Sequence, residues 1–241
     1  MNNDKIKEHS ISSFNDFHNL IQKYDFNFTI FRGVKKKEYE LIPRVGRIDD
    51  WSDEYKNRPL VYIEKDLLRI FCERAIPFIE RVLEDDWQWL AVAQHFRLPT
   101  RLLDWSRNPL IAAYFAVDKK YDGDSAVYVL QYPGYIDFKK DIGSPFEYNY
   151  VNKYIPSHFI NRIIGQSSLF TIHPNPKKPY YGDRSHKLEK IIIENKNDFR
   201  RDFKKILYKY GIHKASLFQD LEALSNHVEW MKRNVHDINE E

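Results

Sequence analysis

Residues 94–108 read Gln-His-Phe-Arg-Leu-Pro-Thr-Arg-Leu-Leu-Asp-Trp-Ser-Arg-Asn and concentrate the groups able to do chemistry. Polar side chains alternate there with apolar anchors, and strongly apolar segments lie on both sides. Such flanks force the stretch inward, where a polar group must be paired or used. Arg101 and Asp104 stand three apart and are able to pair, with His95 nearby in sequence. Asn108-Pro109 opens a helix whose first N–H groups are free at the positive dipole end; with Arg101 and Arg107 beside it, this is a candidate anion site. A self-satisfied Arg–Asp–His network that locks the loop is the alternative. The polar density of the whole segment favours a role beyond that. A second candidate is Phe31-Arg32-Gly33, an arginine closing an aromatic strand beside a glycine that lets a backbone or a ligand come near. A solvated strand-end arginine is the alternative there.

Several familiar chemistries are absent. The eight glycines are scattered and form no phosphate or dinucleotide loop. Neither a helical metalloprotease motif nor a nucleophile elbow occurs. The nine histidines lack metal-ligand spacing, so no metal is expected. The single cysteine, Cys72, excludes an intramolecular disulfide and a cysteine-based zinc site, and its apolar surroundings read as core. The net charge of +3 is small, which argues against wholesale coating of nucleic acid. Local basic character at Lys35, Lys36, Lys37, Arg44, Arg47, Arg97, Lys177, Lys178, Arg184 and Lys187, with Tyr180 and Tyr181 interleaved, reads either as a single-stranded nucleic-acid track or as solvated faces.

The elements that must position these residues follow from patterning. With 241 residues and no repeat or low-complexity linker, the expectation is one domain over residues 1–241. The apolar residues of 14–21 predict a short amphipathic helix, and 26–31 an aromatic strand running to Gly33. Residues 35–59, punctuated by Pro43, Gly46 and Pro59, read as a long ordered loop. A helix over 60–83 should break at Pro77. A second helix begins near Asp85-Asp86 and carries Trp87, Leu90, Ala91 and Gln94 on one stripe. Residues 110–117, apolar all round, predict a central helix whose alanines admit neighbouring backbone. Strands are expected at 126–131, 168–172 and 188–194, and a loop at 174–183. Helices are expected at 199–210 and, after Gly211, at 216–235. Ser216 and Gln219 fit a capping box, and Leu217, Leu221, Leu224, Val228, Met231 and Val235 form an apolar stripe that reads as core packing. The sum is an α+β fold, a small split or mixed sheet flanked by helices. Neither a signal pattern at the N-terminus nor a membrane-length apolar run is present, so the expectation is cytoplasmic, with no membrane partner.

Phe31-Arg32-Gly33 and the run Gln94-His95…Leu98-Pro99-Thr100-Arg101-Leu102-Leu103-Asp104-Trp105, followed by the alanine- and aromatic-rich helix, resemble the FRG domain family. Arg162…Gln166…Phe170 and Gly211-Ile212…Leu217-Phe218…Asp220-Leu221 extend the likeness over residues 25–235. Arg97 stands where the family usually has a small residue, Ser106 where threonine is common, Ser167-Ser168 where glycine often follows the glutamine, and Gln219 where proline is usual. The family occurs in bacterial and phage genomes, often in contexts resembling toxin or defence systems, which implies a neutralising antitoxin as one partner.

The order of elements is also similar to that of ADP-ribosyltransferases: Arg32, then Ser106 leading into Ala112-Ala113-Tyr114-Phe115, then Gln166 before a strand. That likeness implies NAD as substrate and a nucleic-acid or protein acceptor. Arg32 with Arg101 would hold phosphate, Gly33 would admit the ligand, and Ser106 or Thr100 would position a ribose hydroxyl. Tyr114 or another aromatic would stack on nicotinamide, and Gln166 would bond the nicotinamide ribose or orient the acceptor. Glutamine has no titratable proton in range, so base chemistry would fall to Asp104 or His95. NAD hydrolysis is the alternative activity, and a nucleotide-sensing or protein-interaction module the alternative without catalysis.

Overall fold

The computed structural model describes residues 6–79, 83–140, 142–156, 168–183, 185–218 and 220–234. The elements run β1 (Lys7–Ile11), α1 (Phe14–Ile21), β2 (Thr29–Val34), α2 (Leu60–Ala75), α3 (Asp86–His95), β3 (Leu102–Ser106), α4 (Pro109–Val117), β4 (Ser125–Gln131), β5 (Lys153–Tyr154), β6 (Ser168–Ile172), β7 (Lys187–Ile193), α5 (Phe199–Lys209), α6 (Lys214–Phe218) and α7 (Leu221–Asn234). Short 3₁₀ turns occupy Phe26–Phe28, Arg44–Arg47 and Ile76–Phe78. The strands form one mixed seven-stranded sheet in the order β1-β7-β4-β2-β3-β6-β5, antiparallel throughout except for β1 beside β7. The α+β expectation holds.

Local signals account for most of the boundaries. Ser13 and Asp16 close a reciprocal capping box on α1. Asp85 accepts from Gln88 N at 2.8 Å and starts α3; Asn108 accepts from Leu110 N at 2.9 Å ahead of Pro109 and starts α4. Gly211, at φ +75°, closes α5.

Four expectations change. The helix expected over 60–83 closes at Ala75, and Pro77 lies in the 3₁₀ turn Ile76–Phe78 that follows. The predicted strand at 26–31 begins only at Thr29, because Asp25 accepts from Asn27 N and winds the aromatic residues before it into a 3₁₀ turn. Residues 102–106, read as part of a loop, form β3 in the middle of the sheet. The helix predicted over 216–235 is two: Ser216 lies within α6, its hydroxyl on Gly211 O and His213 O, and Asp220 caps a new start by accepting from Ala223 N. The break turns the stripe outward. Leu217 is buried, but Leu221, Leu224 and Val228 are exposed, and α7 packs instead through Ala223 and His227, whose ring stacks on His213. Gln219 and Val235 lie outside the described residues. Cys72 is half-buried, packed against the core beneath α2 and α3.

Two separate helical groups cover one face of the sheet. Phe31, Val127, Val129 and Ile191 meet α1, α4 and α5 over the β2-β4-β7 half. Leu102, Phe170 and Ile172 meet α2 and α3 over the β3-β6 half. The register pair Phe31–Ser106 puts Ser106, Asp104 and Leu102 on that same face. Asp104 and Ser106 therefore fall between the two helical groups. The opposite face, with Ile30, Leu103, Trp105 and Tyr128, is covered by Leu41 and Tyr180 from two loops rather than by helices. Among the described residues no helix is long and apolar enough to cross a membrane.

Candidate functional site

The sheet has a defect at its centre. β2 pairs with β4 along its whole length, and β3 pairs with β6 along its own, but β2 and β3 meet only at Phe31–Ser106. Past that point Arg32, Gly33 and Val34 splay away from Trp105, Asp104 and Leu103. A split sheet leaves backbone groups without ladder partners, and they must be satisfied otherwise. Arg32 does part of this: its Nη1 donates to Asp104 O at 2.6 Å and lies 3.5 Å from Asp104 Oδ2. The guanidinium thus occupies the split.

Around this point opens a cleft of about 790 Å³. Its floor is the split, with Arg32, Gly33, Asp104 and Ser106; one side comes from Gln94, His95 and Arg97 at the end of α3, the other from Phe115 and the α6–α7 segment. Tyr39, Arg44 and Arg47 enter from the loop on the opposite face.

Asp104 is held by a chain of hydrogen bonds running back to the buried Thr100. Thr100 Oγ1 accepts from Leu102 N at 3.1 Å and donates to Gln94 Oε1 at 2.5 Å. With its oxygen so occupied, the Gln94 amide turns its Nε2 to Asp104 Oδ2 at 2.9 Å. The Asp104 side chain remains 56% exposed, so an incoming molecule can reach it.

Arg97, at φ +66°, occupies the left-handed position just after α3. Leu98 N bonds Ala93 O at 2.9 Å and Arg97 N bonds Gln94 O at 3.0 Å, a helix cap in which glycine is preferred. This geometry supplies a physical reason for a small residue at that position. Arg44 Nη1 donates to Arg97 O at 2.5 Å, tying the 44–47 turn to the cap.

The cleft is cationic where the loop meets the split. Arg47 is exposed as a whole residue, but partial desolvation of its guanidinium against the cleft lining pushes it below its ordinary value, and the nearby Arg32 and Arg44 push it the same way. Three guanidiniums gathered around one carboxylate, Asp104, leave a net positive charge that makes a place for an anion. Among the described residues no group of His, Cys, Asp and Glu is arranged to hold a metal ion.

Of the residues singled out from sequence, Arg32, Gly33, His95, Asp104 and Ser106 share the cleft. Gly33 serves a backbone rather than a ligand: a Cβ there would fall 1.9 Å from Ala112 O, so the glycine seats α4 on β2. Ser106 is buried, and its hydroxyl accepts from Asn108 N at 3.1 Å in the turn into α4. Thr100 lies behind Gln94 and does not line the cleft.

Arg101 is buried facing away, in a two-pronged bond to Glu64 at 2.9 and 2.6 Å, with Pro145 O and Phe146 O as further acceptors. It pairs with Glu64, not with Asp104, and cannot reach a phosphate in the cleft. Tyr114 is buried on the far side of α4 with its hydroxyl on Asp118; Phe115, one residue on, is the aromatic of that helix that faces the cleft. The anion site expected at the start of α4 loses Arg101 to Glu64, and Arg107 is exposed outside the cleft. Gln166, Arg162 and Arg184 lie outside the described residues.

Arg44 and Arg47 were legible only as scattered basic character. Their signal was the spacing of three across a Val-Gly turn, which in a 3₁₀ geometry puts both side chains on one side. Gln94 was read as part of a buried stripe, and its role as the hand that holds Asp104 was not foreseen.

No curated protein and no solved structure matches the chain. The family model of the FRG domain matches residues 27–125, a stretch that contains β2, the 44–47 turn, α3, β3 and α4 and so supplies the floor and one side of the cleft. The matches noted around Gln166 and Gly211 fall beyond it. Over residues 27–125, this chain is similar to the FRG domain.

Proposed function

We propose that the cleft binds NAD and that the protein is an ADP-ribosyltransferase. The observation that carries this reading is Arg32 in the split of the sheet, bonded to the strand that presents Asp104, within one cleft. Its volume, about 790 Å³, falls within the roughly 300–1,000 Å³ of small-molecule sites. Arg32 supplies charge-assisted hydrogen bonds to a pyrophosphate. Phe115 offers a ring face for nicotinamide. Asp104 sets a negative charge beside the position where an oxocarbenium-like centre would develop, and it is held there in advance by Gln94.

In the reaction, the bond between the anomeric carbon and the nicotinamide nitrogen breaks, its electron pair leaving on nicotinamide. The acceptor's nucleophile forms the new bond at that carbon. Its proton passes to Asp104 or to His95, both on the cleft wall. A toxin-like or defence role, with an antitoxin that covers the cleft, fits the family contexts noted above.

Incubation of the protein with NAD labelled in its adenylate half, in the presence of a cell extract, tests the reading. Label on a macromolecule supports transfer; its loss in Arg32→Ala and in Asp104→Asn ties transfer to the cleft. Free ADP-ribose without labelled macromolecule would make the protein an NAD hydrolase. Unchanged NAD with folded protein would leave an inert binding module and sink the proposal.

A further inference from the structure

The cationic end of the cleft continues onto the surface of the opposite face. A Cβ on Gly46 would fall 1.7 Å from Pro176 O and 2.9 Å from Lys177 N, so the 44–47 turn is pressed against the 174–183 loop backbone to backbone. Tyr180 N bonds Leu41 O at 3.2 Å, and Tyr181 donates to Glu40 Oε1 at 2.6 Å, which fastens the same loop along residues 40–41. Two segments some 130 residues apart in sequence (44–47 and 177–178) thereby form one surface. It carries Arg44, Arg47, Lys177 and Lys178, all exposed. Tyr39 and Tyr181, 44% and 51% exposed, lie with them.

Among the described residues none of the four cations is paired with a carboxylate. Glu40 is engaged by Tyr181. Asp49 and Asp50 follow Arg47 in the chain and bond none of the four. The net charge of the whole chain is only +3, so this gathering of charge is local. Cations in a row beside exposed rings suit a strand of phosphates with accessible bases. An acidic peptide would satisfy the cations and leave both rings idle. A duplex would keep its bases stacked and out of the cleft unless one were flipped.

We propose that this strip binds single-stranded nucleic acid and leads it to Asp104 as the acceptor. Binding stands on the strip alone; the word acceptor rests on the ADP-ribosyl-transfer reading.

The test uses the intact protein with a fluorescent single-stranded oligonucleotide, as RNA and as DNA, with the duplex of the same sequence and with polyglutamate, read by anisotropy across a salt series. Single strands are expected to bind best and to lose affinity steeply with salt. The double variant Lys177→Glu/Lys178→Glu, both positions exposed and outside the cleft, is expected to weaken binding by about tenfold or more. Circular dichroism of that variant should be unchanged. NAD cleavage to free nicotinamide is measured on the same samples. Failure of the wild-type protein to bind single strands, equal binding of duplex or polyglutamate, or unaltered binding by the folded double variant each overturns the inference. NAD cleavage without oligonucleotide binding defeats this inference and spares the transfer reading. Oligonucleotide binding without NAD cleavage does the reverse.

Discussion

Thr100 acts on Asp104 through Gln94 without itself lining the cleft. The threonine hydroxyl fills the oxygen of the Gln94 amide, and this leaves the amide nitrogen for the carboxylate. Thr100→Val removes the hydroxyl at nearly constant volume and frees Gln94 to turn. Turnover of NAD is expected to fall about tenfold with KM little changed, and Thr100→Ser should restore it; the melting temperature should fall too, because Leu102 N loses its acceptor, whereas a purely structural loss would move kcat and KM together. Asp104→Asn should remove turnover, by roughly 10²-fold or more, while the melting temperature stays put. Retained activity in a folded Asp104→Asn protein would take the carboxylate out of the mechanism.

Arg101 has the opposite character, although it belongs to the same sequence motif. Burial pushes the Glu64 carboxyl up in pKa, and the Arg101 guanidinium opposes that shift. Arg101→Met leaves the carboxyl buried without its partner, and urea unfolding should report a loss of about 3–5 kcal/mol. Pairing it with Glu64→Leu should recover most of that loss. From the sequence, Arg101 looked as able to bind phosphate as Arg32 did. Their partners lie 37 and 72 residues away in the chain, and only those partners separate a structural arginine from one in the cleft.

At the scale of elements, the helices with their own stop or start were legible: Ser13, Asp85, Asn108-Pro109 and Gly211 work within one turn of chain. β3 was not, for its alternation is broken. Leu103 and Trp105 face one layer, while Leu102, Asp104 and Ser106 share the other face, and its polar members are the floor of the cleft rather than solvent-facing residues. β1 and β5 were missed for a related reason, being short edge strands with one buried residue each, Ile11 and Tyr154, and so no apolar period. The cap of α3 offers a check on element energetics. Arg97 holds a left-handed backbone that glycine adopts freely, so Arg97→Gly should stabilise the protein by about 0.5–1 kcal/mol in denaturant titration. A loss of stability would mean that the Arg97 side chain contributes more than the strain costs.

Across the whole molecule, buried titratable groups tie stability to pH, with the largest shifts at His173 and Glu189. His173, on Thr171 Oγ1 at 2.8 Å, is pushed down to about 3 by burial and by the charge of Arg32. It stays neutral in the fold, so below its ordinary 6.5 the unfolded chain takes up a proton that the fold refuses. Burial raises the Glu189 carboxyl, but hydrogen bonds from Lys187, His9 and Tyr24 outweigh that and hold it at about 2, which clips β1 and the turn after α1 to β7. Its stabilisation is complete above the ordinary 4.5 and is lost as the pH falls towards 2. Both effects have the same sign. Thermal unfolding followed from pH 7 downward should show a melting temperature that declines continuously from about 6.5 to below 3. In His173→Gln the decline above pH 4.5 should become shallower, the remainder coming from His213 and His227, whose imidazoles burial also holds below their ordinary value. A melting temperature constant down to pH 4 would contradict the assignment.

The sequence by itself determined where α3 and α4 begin and where α5 closes, that residues 111–114 are buried, and that residues 31–33 and 94–108 concentrate the polar groups of a cleft. Those are consequences of short-range capping and of periodicity, which act between neighbours in the chain. Only the tertiary structure decided which polar residues of those segments meet a ligand and which meet each other. The split between β2 and β3 turns Arg32 and Asp104 into one site, sends Arg101 to Glu64, and sets Tyr114 behind α4 with Phe115 in its place. Such choices depend on strand pairing and helix rotation between distant segments, and no local pattern encodes them.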